Sequence, residues 1–72
     1  MTNEETKVFV REALANGGYD HDGDEIVLAH WVGMSPNGNV IFQIYYKDDG
    51  EISDGFVYVQ WDATSNKWKA DY

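Results

Sequence analysis

The sequence predicts an α+β fold in which one N-terminal helix packs on a four-stranded antiparallel β-meander. Only the first segment combines helical spacing of apolar residues with capping signals, whereas everything from residue 25 onward alternates β-rich runs with short turns. The 72 residues are enough for one domain, 1–72, and without cysteine its stability rests on hydrophobic packing. The elements are expected at about 3–16 for the helix, and at about 25–34, 39–47, 55–62 and 67–72 for the strands.

The helix is predicted from its two ends and from one apolar stripe. Thr2 and Glu5 have the spacing of a capping box, in which each residue satisfies the backbone amide of the other. The stripe consists of Phe9, Val10, Ala13 and Leu14. Gly17 and Gly18 then favour an end to the helix, because glycine accepts the backbone conformation of a C-terminal cap.

The four strands are predicted from runs of β-branched and aromatic residues separated by turn sequences. "SPNGN" at 35–39 fits a turn followed by a glycine in the left-handed conformation, and "KDDGE" at 47–51 follows the same logic with Gly50. "ATSN" at 63–66 joins the last two strands. Each connection is short, so consecutive strands are expected to pair in antiparallel order.

The turns also fix which side chains share a face of the sheet. Pairing Ser35 with Asn39 predicts a helix-facing side made of Ile26, Leu28, His30, Val32, Met34, Val40, Phe42, Ile44 and Tyr46. Pairing Asp62 with Lys67 adds the aligned pairs Trp61–Trp68, Val59–Ala70 and Val57–Tyr72. These pairings agree with a turn that places Lys47 opposite Glu51 only if one extra residue is absorbed between Ile52 and Val57, so a β-bulge is expected at 53–55.

The opposite side of the sheet is predicted to be apolar and uncovered, because a single helix covers one face. Its large side chains are Trp31, Ile41, Tyr45, Phe56 and Tyr58. Contiguous exposed apolar residues usually mark an interface, and homodimerisation is the favoured form of it. Two other interpretations remain open: these residues serve strand propensity alone, or the helix covers this side instead.

Charge is the other informative feature. Thirteen acidic and five basic residues give a net charge of −8, which argues against direct binding of nucleic acid or anionic membranes. The predicted meander brings eight acids to one end of the sheet, here called the acidic end: Asp20, Asp22, Asp24, Glu25, Asp48, Asp49, Glu51 and Asp54. This end is expected to dock a basic surface on a partner protein, with a weak cation site or an ordinary polar turn region as alternatives.

The segment "YDHDGDEIVLAHW" at 19–31 opens with the D-x-D-x-D spacing of a calcium-binding loop. The pattern then fails, because the positions that should hold a glycine and a closing glutamate are Glu25 and Trp31. No metal ligand is therefore assigned, and calcium binding by the acidic loops is kept as an alternative function.

Catalysis has little support in the sequence. There is no cysteine, no nucleophile elbow and no phosphate-binding glycine loop, and His30 is expected in the core. No catalytic residue and no cofactor is assigned. The polar, acidic N-terminus is unlike a signal peptide, and no apolar run is long enough to span a membrane, so a cytoplasmic protein is expected.

The sequence thus favours a small acidic, non-catalytic protein-interaction module. Its expected partners are a second copy of the chain and a protein with a basic surface. A further alternative is an inhibitor that imitates nucleic acid and occupies a basic site on a host protein, which rests on size and charge alone.

Overall fold

The predicted architecture, one helix on a four-stranded antiparallel sheet, is confirmed. The structure is a computed structural model that describes residues 1–19 and 25–71. Its elements are α1 (Asn3–Asn16), β1 (Glu25–Met34), β2 (Val40–Asp48), β3 (Glu51–Asp62) and β4 (Lys67–Asp71). The strands pair in the order β1-β2-β3-β4. Tyr72, expected at the end of the last strand, lies outside the described residues.

The start of α1 is fixed by the predicted capping box. The Thr2 hydroxyl accepts a hydrogen bond from the Glu5 amide at 3.2 Å, and the Glu5 carboxylate accepts one from the Thr2 amide at 2.9 Å. The bond from the Thr2 backbone is the main cause that holds the pKa of Glu5 below its usual value. Two orphan donors of the first turn are therefore satisfied by local sequence alone.

The end of α1 lies in close contact with β4 and is joined to it by hydrogen bonds. The Asn16 side-chain amide donates to the Trp68 carbonyl at 3.0 Å, and the Tyr19 hydroxyl donates to Asp71 at 2.6 Å. A Cβ atom on Gly17 would lie 2.3 Å from the Ala70 carbonyl oxygen. Only glycine permits this approach without a shift of the backbone.

The turn between β2 and β3 is tighter than predicted. Asp49 and Gly50 both have positive φ angles, 50° and 81°, as in a two-residue hairpin turn of type I′. Asp48 therefore pairs with Glu51, and β3 begins four residues before the expected position 55. The pairing of β2 with β3 is unbroken along its length, so the bulge predicted at 53–55 is wrong.

The irregularities lie in β1 instead. Its register with β2 shifts twice, between Ile26 and Leu28 and again between Trp31 and Gly33. At each shift, one residue of β1 has no partner on β2. The side chains that follow it therefore point to the opposite face of the sheet from the one that regular alternation would give. Between the two shifts the side chains are therefore reversed relative to the prediction.

This reversal corrects several assignments. Ala29, expected outside, is buried, and Trp31 pairs with the buried Phe42 and so lies on the helix side. Leu28 and His30, expected in the core, lie on the opposite face. Two further predicted core residues are largely exposed: Val32 and Met34.

The core lies between α1 and the concave side of the sheet. Its buried apolar residues are Val10, Ala13, Leu14, Ile26, Ala29, Phe42, Ile44, Val57, Val59 and Ala70. The helix packs chiefly against β4 and β1, the two edge strands, so the sheet curves around it. No other described element covers the far side of the sheet.

Candidate interaction surfaces

The face of the sheet that points away from α1 is called the outer face. Residues directly opposite each other in paired strands share a face, so the register identifies its members. Its apolar and aromatic members are Leu28, Ile41, Tyr45, Ile52, Phe56 and Tyr58. His30, Gln43 and Gln60 supply polar groups, and the charged members are Lys47, Lys67, Lys69, Glu25, Asp54, Asp62 and Asp71.

Four of the five residues predicted for an apolar interaction face lie together on the outer face. Ile41 pairs with Tyr58, and Tyr45 and Phe56 lie on the same two central strands. Phe56 is 47% exposed and Tyr58 39%, whereas Ile41 and Tyr45 are half-buried. Trp31, the fifth, is not among them. Leu28 and His30 replace it on β1.

His30 and Tyr45 form a stacked ring pair on the outer face, with centroids 6.4 Å apart and planes 25° from parallel. Beside them, the Gln43 amide approaches the Asp54 carboxylate at 3.5 Å. The centre of the outer face is therefore aromatic but contains polar groups that can form hydrogen bonds. Such mixed character is typical of protein interfaces that form and dissociate.

The charges of the outer face nearly balance. Three lysines stand on it with three aspartates and with Glu25, which pairs with Lys47, so its net charge is 3 − 4 = −1, although the whole chain carries −8. Asp62 and Lys69 form an ion pair at 2.8 Å. This nearly neutral face contrasts with the rest of a strongly acidic protein.

Asp62 should titrate far below a normal carboxyl group. It accepts hydrogen bonds from Lys69, from the Ser65 hydroxyl and from the Thr64 amide, and these lower its pKa to about 2. Because the folded pKa lies below the unfolded value of 3.8, the stabilisation is complete above pH 3.8 and is lost as the pH falls toward 2. Asp62→Asn should therefore destabilise the protein at neutral pH, and the deficit should shrink as the pH falls from 3.8 through about 2.

Carbon-detected NMR titration of the Asp62 carboxyl checks this directly. Asp54 lies on the same face and serves as the comparison within the same spectra. A midpoint near 4 for Asp62 would show that the hydrogen bonds to it do not persist in solution.

The acidic end is described only in part. Asp48, Asp49 and Glu51 are exposed at the β2–β3 turn, and β1 begins beside it, since Glu25 pairs with Lys47. A regular register continued from the predicted pairing of Ser35 with Asn39 would place Val27 opposite Lys47, and this is wrong by two residues because β1 contains two bulges. Asp54 lies on the outer face.

The other acids predicted for this end, Asp20, Asp22 and Asp24, lie outside the described residues. Within 1–19 and 25–71, no group of three His, Asp or Glu side chains is arranged to hold a metal ion.

The tryptophans form a surface that the sequence did not predict, here called the tryptophan end: Trp31, Trp61 and Trp68. All three lie on the helix side near the β1–β2 and β3–β4 turns and are 62%, 44% and 39% exposed. Trp61 and Trp68 were expected in the core. Their rings meet edge to face at 5.2 Å, and Trp68 also contacts Phe9 at 5.9 Å.

An open groove of about 640 Å³ lies beside Trp31 and Trp68, between the first turns of α1 and strands β1 and β2. Phe9, Val40 and Phe42 form its apolar wall. The pairing of Trp61 with Trp68 was readable from the turn at 63–66. The position of Trp31 was not readable, because it depends on the bulges of β1.

The sheet edges are less suited to contacts than its outer face. β1 is interrupted by the two bulges, which displace its free backbone groups from a regular ladder. β4 is five residues long and carries Lys67 and Lys69. Bulges, short strands and lysines are the features by which natural proteins prevent pairing of edge strands. The architecture therefore favours contact through a face.

Comparison with models of known protein families finds no match, and neither does comparison with curated proteins or with solved structures. The one helix in residues 1–19 and 25–71 is neither long enough nor apolar enough to cross a membrane.

Proposed function

We propose that the chain is a small acidic, non-catalytic protein-interaction module that makes its main contact through the outer face. The observation that carries this proposal is the row of exposed or half-buried apolar side chains on the central strands, above all Phe56 and Tyr58. Contiguous apolar patches on a folded domain usually mark an interface. Burial of one Phe or Leu side chain contributes about 1.5–3 kcal/mol, so a few such residues drive association.

The acidic end has a different role in this proposal. The exposed carboxylates of Asp48, Asp49 and Glu51 attract positively charged surfaces from a distance, which raises association rates more than final affinity. A partner with a basic surface would therefore be oriented by the acidic end. The nearly neutral outer face would supply the apolar contact area.

Site-specific photo-crosslinking in the native host tests this proposal. Phe56→benzoylphenylalanine replaces one aromatic side chain with another at an exposed position of the outer face. The matched control carries the same group at Val8, which is 51% exposed on α1. A third variant carries it at Glu51 to sample the acidic end.

Defined crosslinked bands are expected from position 56 and not from position 8. A basic protein crosslinked from position 51 supports the role of the acidic end. Equal labelling at positions 56 and 8, or no product at position 56, would contradict a contact through the outer face.

A further inference from the structure

Resting on the proposed function, we infer that the occupant of the outer face is a second copy of this chain, in a face-to-face dimer. The first argument is electrostatic. Two chains of charge −8 repel each other, and the repulsion is smallest where the approaching surfaces carry no net charge. The outer face, with three lysines and four carboxylates, comes close to such a surface.

The same charge balance disfavours a basic partner at this position. A cationic protein gains its attraction from uncompensated carboxylates, and those lie at the acidic end, on Asp48, Asp49 and Glu51. On the outer face, Lys47, Lys67 and Lys69 offset the carboxylates, so such a partner gains little attraction there. A second copy meets the same nearly neutral surface, since in a symmetric dimer the same surface is used by both subunits.

The area of the outer face sets the strength of the dimer. Four strands about 4.8 Å apart and about nine residues long cover about 19 Å by 30 Å, or about 570 Å² on each subunit. Stable complexes bury about 800 Å² on each partner, so this dimer lies at the low end of the range. The dimer should therefore be weak and reversible, with a dissociation constant in the micromolar range or above.

Such a dimer has a geometric consequence. The helices and the tryptophan ends point outward on both sides, and the acidic end of each subunit stays exposed. The assembly thus keeps its carboxylates free for basic partners while it buries Phe56 and Tyr58. Self-association and recognition of a basic protein then use different surfaces.

Analytical ultracentrifugation of the full chain, from low micromolar to millimolar concentration, tests the inference. The mass of the wild-type chain should approach twice that of the monomer. Added salt should strengthen the dimer, because it screens the repulsion between the acidic subunits, with a screening length of about 8 Å at 0.15 M. Self-association through opposite charges would instead weaken with salt, so a dimer that strengthens with salt indicates apolar contact between two acidic subunits.

Two variants test the surface. Phe56→Lys and Tyr58→Lys each should weaken the dimer by about tenfold or more, because they place an unpaired charge in the buried centre. Val8→Lys is the control, with the same charge change at a residue of similar exposure, 51% against 47% for Phe56. Each substitution reduces the net negative charge of the chain from −8 to −7, which by itself favours association. Circular dichroism shows whether each variant is folded, and one folded variant, at position 56 or at position 58, is enough to test the surface.

A wild-type chain that stays monomeric at millimolar concentration would overturn the inference, as would variants at 56 and 58 that dimerise as well as Val8→Lys. A monomer whose position 56 still crosslinks to another protein would refute the second copy but leave the proposed function standing. A monomer without crosslinks at position 56 would refute both.

Discussion

Phe42→Ala should leave the domain largely unfolded at room temperature. Phe42 is 3% exposed, lies at the centre of the core and contacts the ring of Phe9 at 5.8 Å. Truncation of a buried phenylalanine to alanine costs about 3–5 kcal/mol, through lost burial and the cavity left behind. A domain of this size has a total stability of about 3–5 kcal/mol, so the loss consumes all or most of it. Urea denaturation followed by circular dichroism measures the effect.

Phe56→Ala is the matched control, because it removes the same side chain from the other face of the sheet. Phe56 is about half exposed, and its loss should cost about 1 kcal/mol when measured at a concentration where the chain is monomeric. Equal costs for the two substitutions would contradict the assignment of Phe42 to the core and Phe56 to the outer face.

Gly17→Ala should destabilise the protein by about 1–3 kcal/mol, the usual cost of forcing an extra methyl group into a packed site. The added Cβ would lie 2.3 Å from the Ala70 carbonyl oxygen, and a backbone atom cannot rotate away as a flexible side chain can. The end of α1 would have to separate from β4, which would weaken the hydrogen bond from Asn16 to Trp68. Thermal or urea denaturation detects the loss.

Gly33→Ala provides the comparison for this prediction. A Cβ at Gly33 meets no atom within 4 Å, and its backbone does not have the positive φ that disfavours alanine. The substitution should be neutral or slightly stabilising, since it reduces the freedom of the unfolded chain. If Gly17→Ala were as harmless as Gly33→Ala, the close approach of α1 to β4 would not exist in solution.

Local signals explain why the helix and the strand order could be predicted. The capping box of Thr2 and Glu5, the glycines after Asn16 and the short turns all act within a few residues, so their physical meaning is visible in the sequence. The alignment of Trp61 with Trp68 followed from the turn between Asp62 and Lys67 in the same way.

The faces of β1 could not be predicted, because this strand offers no alternation of apolar and polar residues. Almost every residue from Ile26 to Met34 is compatible with either face. The two bulged positions, Val27 and Val32, are not glycines, so the sequence gives no sign of a bulge there. Two signals pointed to the correct arrangement. A polar His30 fits a face shared with Gln43, and a small Ala29 fits a strand against which a helix packs.

The part of the outer face that lies on β2 and β3 could be predicted from the sequence. Ile41, Tyr45, Phe56 and Tyr58 lie on strands whose pairing is unbroken, so their shared face survives the error in β1. The balance of charges on that face depends on β4 and on long-range register, and became visible only from the complete sheet.

The outer face, rather than the tryptophan end or a sheet edge, is the proposed contact surface. Backbone amide NMR of the wild-type chain during serial dilution tests it most directly, because every strand is observed at once without a substitution. Concentration-dependent shifts of the amide resonances are expected in the central parts of β2 and β3 and around Leu28 and His30. Shifts confined to Trp31, Trp61 and Trp68, or to the free edge of β4, would contradict it.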